Sequence, residues 1–466
     1  EGCTTLPQLT GAKLNGLMLG YEMGLTSGVL LQLRSLLSLS CREQELLVSS
    51  PLLGALFICL AGGPILDRYG RRCSLLLSAA LVIGGTIVLI AVTSFIVLTL
   101  GRLIVGMGTS LSGTAACLYI AEISPRERRG LLVTLYELML VVGVMLGFGC
   151  SYGFSTVSHG WAYTFGLVIP PALLQMIALV FLPPSPRFLV ARGQVEKAGW
   201  VLARLRGGRK EDVDLELRDI RLDSIKNLNI ASEIFSATKP TCGHGSLIGV
   251  ALVFLSRRRD SPTSSPTRPL SLHSVGFNSH AASHSWPPRV GVVKVVGTIP
   301  AVDDGRPFRT KKFPVRRRLL QWDYRYEENR GLIKTKDWVS EDQRTAIEMS
   351  LSLKWASLIS LLVYVAGFSI SLGPMVYVVL SEIFPMGVRG RAVSVVSAVN
   401  WATNLLISMT FLTITEKIGL PNIMFIYAAM SFVLLVFVIL CVPQTKGRTL
   451  EEISKELENV FRKRRC

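Results

Sequence analysis

The sequence has no Asn-x-Ser/Thr sequon, only five histidines, and nine cysteines without any paired spacing. Without a sequon there is no glycosylation signal for a surface location. His159, His244, His273, His280 and His284 fall in loops with no matched nucleophile or metal partner, so they read as surface histidines and give no support to an enzyme. Cys59, Cys117 and Cys441 lie inside apolar runs as small apolar residues, which leaves neither a disulfide framework nor a zinc site, and no cofactor is expected. An initiator Met is also lacking. The chain starts at Glu1 and reads as a fragment, a processed product or an incomplete gene model. The first apolar block has no cleavage pattern of small residues after it, so 9–31 is taken as a membrane span, not a leader.

What the sequence does have is apolar residues in blocks: they make up 50% of 466 positions and recur as stretches with few internal charges. A helix crossing the hydrocarbon core needs about 20 such residues. Spans are predicted at 9–31, 46–66, 74–93, 95–120, 131–153, 162–182, 355–381, 392–414 and 421–442. The net charge of +18 could suggest nucleic acid, but the Lys and Arg residues lie mostly in loops flanking spans or in one anomalous middle segment, and no nucleic-acid partner is expected. The loops 67–72, 126–129, 183–245 and 387–391 and the tail 446–465 are basic, whereas 151–161 and 415–421 are nearly uncharged. By the positive-inside rule the basic set is cytoplasmic, with both termini inside.

An internal repeat organises the chain. Glu122, Ile123, Pro125, Arg129 and Gly130 recur, at a constant offset of 260, as Glu382, Ile383, Pro385, Arg389 and Gly390, each copy lying between two spans. Repeated halves are a known way to build transporters. The repeat makes the span before Glu122 fourth in its half and its mate tenth overall, so three helices are missing or unreadable between 246 and 352. Leu247 to Leu255 starts a span and is cut off by Arg257, Arg258, Arg259 and Asp260, while 290–302 ends in Asp303 and Asp304. This stretch is either a long disordered loop or the scrambled remnant of helices seven to nine. The predicted organisation is therefore a first six-helix bundle at 1–182, a cytoplasmic linker with intracellular helices at 183–245 and a disrupted remnant at 246–352. Helices ten to twelve follow at 353–443, then a cytoplasmic tail at 444–466.

Charged residues cluster at one rim. Asp67, Arg68, Tyr69, Gly70, Arg71 and Arg72 form a tight turn between the second and third spans. Glu122 and Glu382 each precede an arginine by seven residues, Arg129 and Arg389, and Arg187 follows the sixth span. Carboxylates and guanidinium groups in this arrangement can form charge-assisted pairs that latch two halves on the inside and release as they rock. Charge serving only to orient the spans is the alternative for the turn.

The turn at 67–72, the run Tyr119 to Gly130, Pro183-Pro-Ser-Pro-Arg-Phe-Leu and Val442 to Gly447 together resemble the signature set of facilitative glucose transporters in the major facilitator superfamily, and are most similar to the class III branch. The likeness covers 9 to about 255 and 353–455, with islands at 274–282 and 290–302. It implies an all-α membrane fold of two six-helix bundles, with a hexose site near the bilayer midplane between them. It places Glu137 where the family usually has a sugar-contacting glutamine. It puts Tyr377 in the stretch Gly373-Pro374-Met375-Val376-Tyr377, where the family has tryptophan, and Asn400, Trp401 and Asn404 on the eleventh helix. Asparagines offer both donor and acceptor to hydroxyls, and an aromatic face packs on a pyranose ring; helix packing is the alternative for all three eleventh-helix residues. The family's seventh-helix amides should follow Leu255, where this chain has Ser256-Arg257-Arg258-Arg259, and the second-half turn is reduced to Asp303-Asp304-Gly305-Arg306.

The expected activity is thus facilitative hexose transport by alternating access at the plasma membrane, with a hexose substrate and the lipid bilayer as partners. Glu137, a carboxylate in a span, opens proton-coupled symport as an alternative. Transport of another small solute is a further one, and the altered seventh helix leaves open a non-transporting relative. In the tail, Thr449 with Glu452 reads as a capping box. The following Arg462 to Arg465 run either binds anionic lipid or is a solvated charge run.

Overall fold

The computed structural model describes residues 6–124, 129–206, 213–222, 389–418 and the positions 422, 426 and 429; helix is its only regular structure among the described residues. In chain order the helices are α1 (Leu6–Leu37), α2 (Cys41–Ala91), α3 (Phe95–Ile123), α4 (Arg129–Gly153), α5 (Gly160–Gly166), α6 (Ile169–Phe181), α7 (Pro186–Ala191), α8 (Val195–Arg206), α9 (213–222) and α10 (Arg389–Ile418). The stretches Arg42–Ala91, Phe95–Ile120, Leu135–Gly153, Gly160–Phe181 and Val393–Thr410 are long and apolar enough to cross a membrane. The spans predicted at 355–381 and over most of 421–442 lie outside the described residues, as does the segment 246–352.

α2 contains both the second and the third predicted spans, and geometry shows that it is folded back on itself. In a straight helix Pro51 and Val82 would be roughly 46 Å apart at 1.5 Å per residue. Yet a Cβ on Gly106 would meet Pro51, and one on Gly108 would meet Val82. Both arms therefore lie beside the same stretch of α3, and the reversal is at Gly70, whose φ of 83° and ψ of 165° leave the helical region. That conformation favours glycine, and the site also has no room for a side chain, because a Cβ would sit 2.9 Å from the Phe188 ring.

α1 and α4 run parallel in backbone contact. Gly16, Gly20, Gly24 and Gly28 form a stripe at every fourth residue, and Gly143 and Gly147 face it; a Cβ on Gly20 would lie 1.8 Å from the Leu140 carbonyl oxygen. Lipid chains are as apolar as leucine, so helices in a bilayer gain from close packing and polar contacts, not from hiding apolar surface. The same physics explains exposed Leu60, Ile96 and Phe181 at 67%, 67% and 75%.

The sixth span, predicted as one helix over 162–182, is two. Pro170 and Pro171 carry no N–H and cannot donate back to residues 166 and 167, so α5 ends in a turn at Leu167–Val168 and α6 restarts with Pro170 and Pro171 in its first turn. Beyond it, Ser185 caps α7, its hydroxyl accepting from the Phe188 N–H. The apolar faces of α7, α8 and α9, including Leu189, Val201, Leu205, Val213 and Ile220, pack on Leu66, Leu75, Ile123 and Leu182 and cover the basic end of the bundle.

α10 lies antiparallel to the first arm of α2. Ser394 is 3.8 Å from a Cβ position at Gly62, and Ser49 donates to Ser408 at 3.4 Å toward the other end. Ser394, Trp401 and Ser408 are seven residues apart and so share the face turned to α2.

Candidate functional site

The rim charges predicted from sequence are brought together where they are described. Arg71 and Glu122 form a buried ion pair, Nη2 to Oε1 at 2.8 Å, with Nε donating to the same oxygen at 2.9 Å. The other carboxylate oxygen accepts from Ser185 Oγ. The Arg71 guanidinium also lies 5.8 Å from the centre of the Phe188 ring, with Arg192 5.4 Å from the same ring. Arg72 caps the end of α6, Nε donating to the Leu179 carbonyl at 3.0 Å and Nη2 to that of Val180 at 2.7 Å. Arg68 is exposed, 5.9 Å from the Tyr69 ring, and its carbonyl accepts from Arg192. Asp67 and Arg187 are half-buried in the same region. Arg129 and Arg389 open α4 and α10, but their side chains lie outside the described residues, as do Glu382 and Tyr377. The described pairs join α2, α3 and the linker, all within the first half.

A further clamp was not anticipated from sequence. Arg206 of α8 holds Glu216 of α9 through two contacts at 2.9 and 2.7 Å while Nη1 donates to the Ile123 carbonyl at 2.9 Å, tying the linker to the end of the helix that carries Glu122.

Inside the first bundle, polar groups link α1 to its neighbours. Asn15 Oδ1 accepts from Ser112 Oγ and from Gln175 Nε2 at 2.5 Å, which connects α1, α3 and α6. Arg102 Nη2 donates to Thr26 Oγ1 at 2.7 Å, and Tyr21 donates to the Thr164 carbonyl at 2.8 Å. The charge of Arg102 acts on Glu22, which is buried on α1 one turn from Thr26. Glu22 Oε1 and Arg102 Nε have no hydrogen-bond partner among the described residues. Sequence reasoning singled out Glu137 alone. The signal for the others was their presence in spans, where each ionisable or amide side chain is costly enough to imply a role.

Of the residues expected to touch sugar, Glu137 is half-buried on α4, near Cys117 of α3. Asn400 is 5% exposed, with Oδ1 unpartnered among the described residues; Trp401 and Asn404 are half-buried. At 100° per residue Asn400 is turned away from the α2 seam on which Trp401 lies, and Asn404 falls between them.

The family described as Sugar (and other) transporter matches residues 9–254 and 339–457. The chain belongs to the sugar transporter family. The match breaks between 255 and 338, which falls inside the 246–352 stretch where three helices are missing or unreadable in the sequence. This transporter is 44% identical to facilitated glucose transporter member 12 of solute carrier family 2 from Danio rerio, covering 96% of this chain and 86% of that one. It is 40% identical to the Homo sapiens protein of the same name, covering 99% and 86%. The structure of the proton:xylose symporter XylE bound to 6-bromo-6-deoxy-D-glucose superposes with a TM-score of 0.83, covering 97% of this chain and 98% of that one at 24% identity. The fold of this transporter is that of the major facilitator superfamily.

Proposed function

We propose that this transporter moves a glucose-like hexose down its gradient by alternating access. The observation that carries the reading is the 44% identity, across 96% of the chain, to a protein named as a facilitated glucose transporter. The arrangement of polar groups agrees with it. Glu137 on α4 and Asn400 with Asn404 on α10 bring hydrogen-bonding groups for hydroxyls from the two halves, and the α2–α10 seam has small serines near both ends, where two bundles can tilt past one another. The basic end is cytoplasmic in this reading, with both termini inside and the chain at the plasma membrane. The test is uptake of labelled 2-deoxyglucose into vesicles containing the purified chain, beside a copy whose 255–338 region is replaced by that of an intact relative. Saturable uptake by this chain supports the reading; uptake by the repaired copy alone assigns the chain as a non-transporting member of the family.

Glu22 favours a second reading, proton-coupled symport. A carboxylate buried in a span, on which the charge of Arg102 acts, is a group that could take up and give back a proton as the bundles move. Accumulation of sugar above its outside concentration under an imposed proton gradient supports symport; equilibration only supports the uniport.

A further inference from the structure

Along α3 the residues 108–120 are buried except at Gly113, Thr114 and Cys117, which are half-buried and share one side of the helix. That side is turned into the bundle. A Cβ on Gly113 would lie 3.4 Å from the Tyr136 hydroxyl of α4 and 3.5 Å from Leu19 Cδ2 of α1. The neighbouring Ser112 donates to Asn15 of α1, and the charge of Glu137 on α4 acts on Cys117, one turn beyond Gly113.

The α1–α4 contact accounts for the surface left open here. Gly16 and Gly20 meet the backbone of Tyr136 and Leu140. At 100° per residue Leu19 and Glu137 stand beside that seam and not in it, and both are half-buried. Half-buried Leu19, Gly113, Cys117 and Glu137 thus border one recess between three helices, next to buried Tyr136.

Gly113 is the member of this border whose residue type packing does not explain. Gly20 and Gly106 are required by close backbone approach, since a Cβ would sit 1.8 Å from the Leu140 carbonyl oxygen and 2.1 Å from that of Pro51. A Cβ on Gly113 would meet only two side-chain atoms, both at ordinary contact distance, and its φ is not positive. Glycine weakens a helix relative to alanine, so the space itself is the feature to be explained. It lies one turn from the residue facing Glu137, the position that corresponds to a sugar contact.

We propose that Gly113 sets the size of the sugar accepted: the space left by its missing side chain admits a hexose where otherwise only a pentose would fit. The inference rests on the hexose reading above and makes Gly113 a specificity-determining residue of that site.

The experiment is thermal unfolding of the full-length purified chain in detergent, titrated with D-glucose, with D-xylose, which lacks the sixth carbon, and with L-glucose as the control for bulk solvent effects. A ligand that binds the folded chain raises its melting temperature. Wild type should respond to D-glucose and D-xylose and not to L-glucose. Gly113→Val should need about ten-fold more D-glucose, relative to D-xylose, for the same rise, the discrimination that one carbon gives in a fitted pocket. Gly113→Ala should move the same ratio less, without lowering the melting temperature of the free protein, and decides the matter if the valine variant does not fold. Gly149→Val, on α4 with nothing within 4 Å of its Cβ position, should leave the ratio unchanged. In a chain that responds to D-glucose, a glucose-to-xylose ratio that neither Gly113 variant moves overturns this inference alone, as does a D-xylose response absent throughout. No response of wild type to D-glucose overturns the hexose reading and this inference with it.

Discussion

Arg71 and Glu122 meet at 2.8 Å with side chains only 11% and 4% exposed, so the charge of Arg71 is neutralised by the helix beside α2. Removing one member of such a pair leaves the other buried and uncompensated, which costs about 3–5 kcal/mol. Glu122→Gln and Arg71→Met should each lower the unfolding temperature of the detergent-solubilised protein markedly. The double variant should recover much of the loss. Equal damage from all three would mean that the carboxylate acts through Ser185 and not through Arg71.

The glycines of α1 give a sharper contrast. Gly20→Ala places a methyl 1.8 Å from the Leu140 carbonyl oxygen, and backbone displacement of this kind costs about 1–3 kcal/mol or more. Gly149→Ala on α4, with nothing within 4 Å, should be neutral or stabilising by up to about 1 kcal/mol through helix propensity. Thermal melts of the two variants side by side measure the difference.

Arg102→Ala should be among the most damaging substitutions, because it leaves Glu22 in the bundle without the arginine charge that acts on it. Pairing it with Glu22→Gln should restore folding, read as recovery of a monodisperse peak in detergent. Failure to recover would show that the bond from Arg102 to Thr26 matters more than the charge.

Asn400→Ala removes an amide whose oxygen has no partner among the described residues. If that oxygen meets a sugar hydroxyl, the KM for 2-deoxyglucose should rise about ten-fold with little change in stability, the worth of one hydrogen bond. Trp401→Ala, on the α2 seam, should instead lower the maximal rate and the melting temperature. Uptake kinetics with a melt on the same samples separates the two roles.

The ends of the spans were legible because charge and proline mark them: the basic turn at Asp67 to Arg72 is the reversal in α2, and the Ser185-Pro186 pair opens α7 as capping chemistry requires. The pairing of spans was less legible. The stripe Gly16, Gly20, Gly24 and Gly28 is visible in the sequence, but only the structure shows that it meets Gly143 and Gly147 and not lipid. Asn15 and Gln175 are 160 positions apart, and nothing local to either predicts that they share a hydrogen bond. The break in the sixth span was missed because apolar content outweighed Pro170 and Pro171. On α10, proximity along the chain grouped Asn400 with Trp401, whereas helical rotation separates them.

The glycine contact between α1 and α4 also bears on how the chain is made. Leu140 is synthesised 120 residues after Gly20, a delay of about 6–24 s at ribosomal rates. Throughout that interval the glycine face of α1, with Asn15 and Glu22 on the same helix, has been translated without its partner. A nascent chain arrested before α4 should therefore keep α1 beside the insertion machinery, and release into the bilayer should follow the arrival of Gly143 and Gly147.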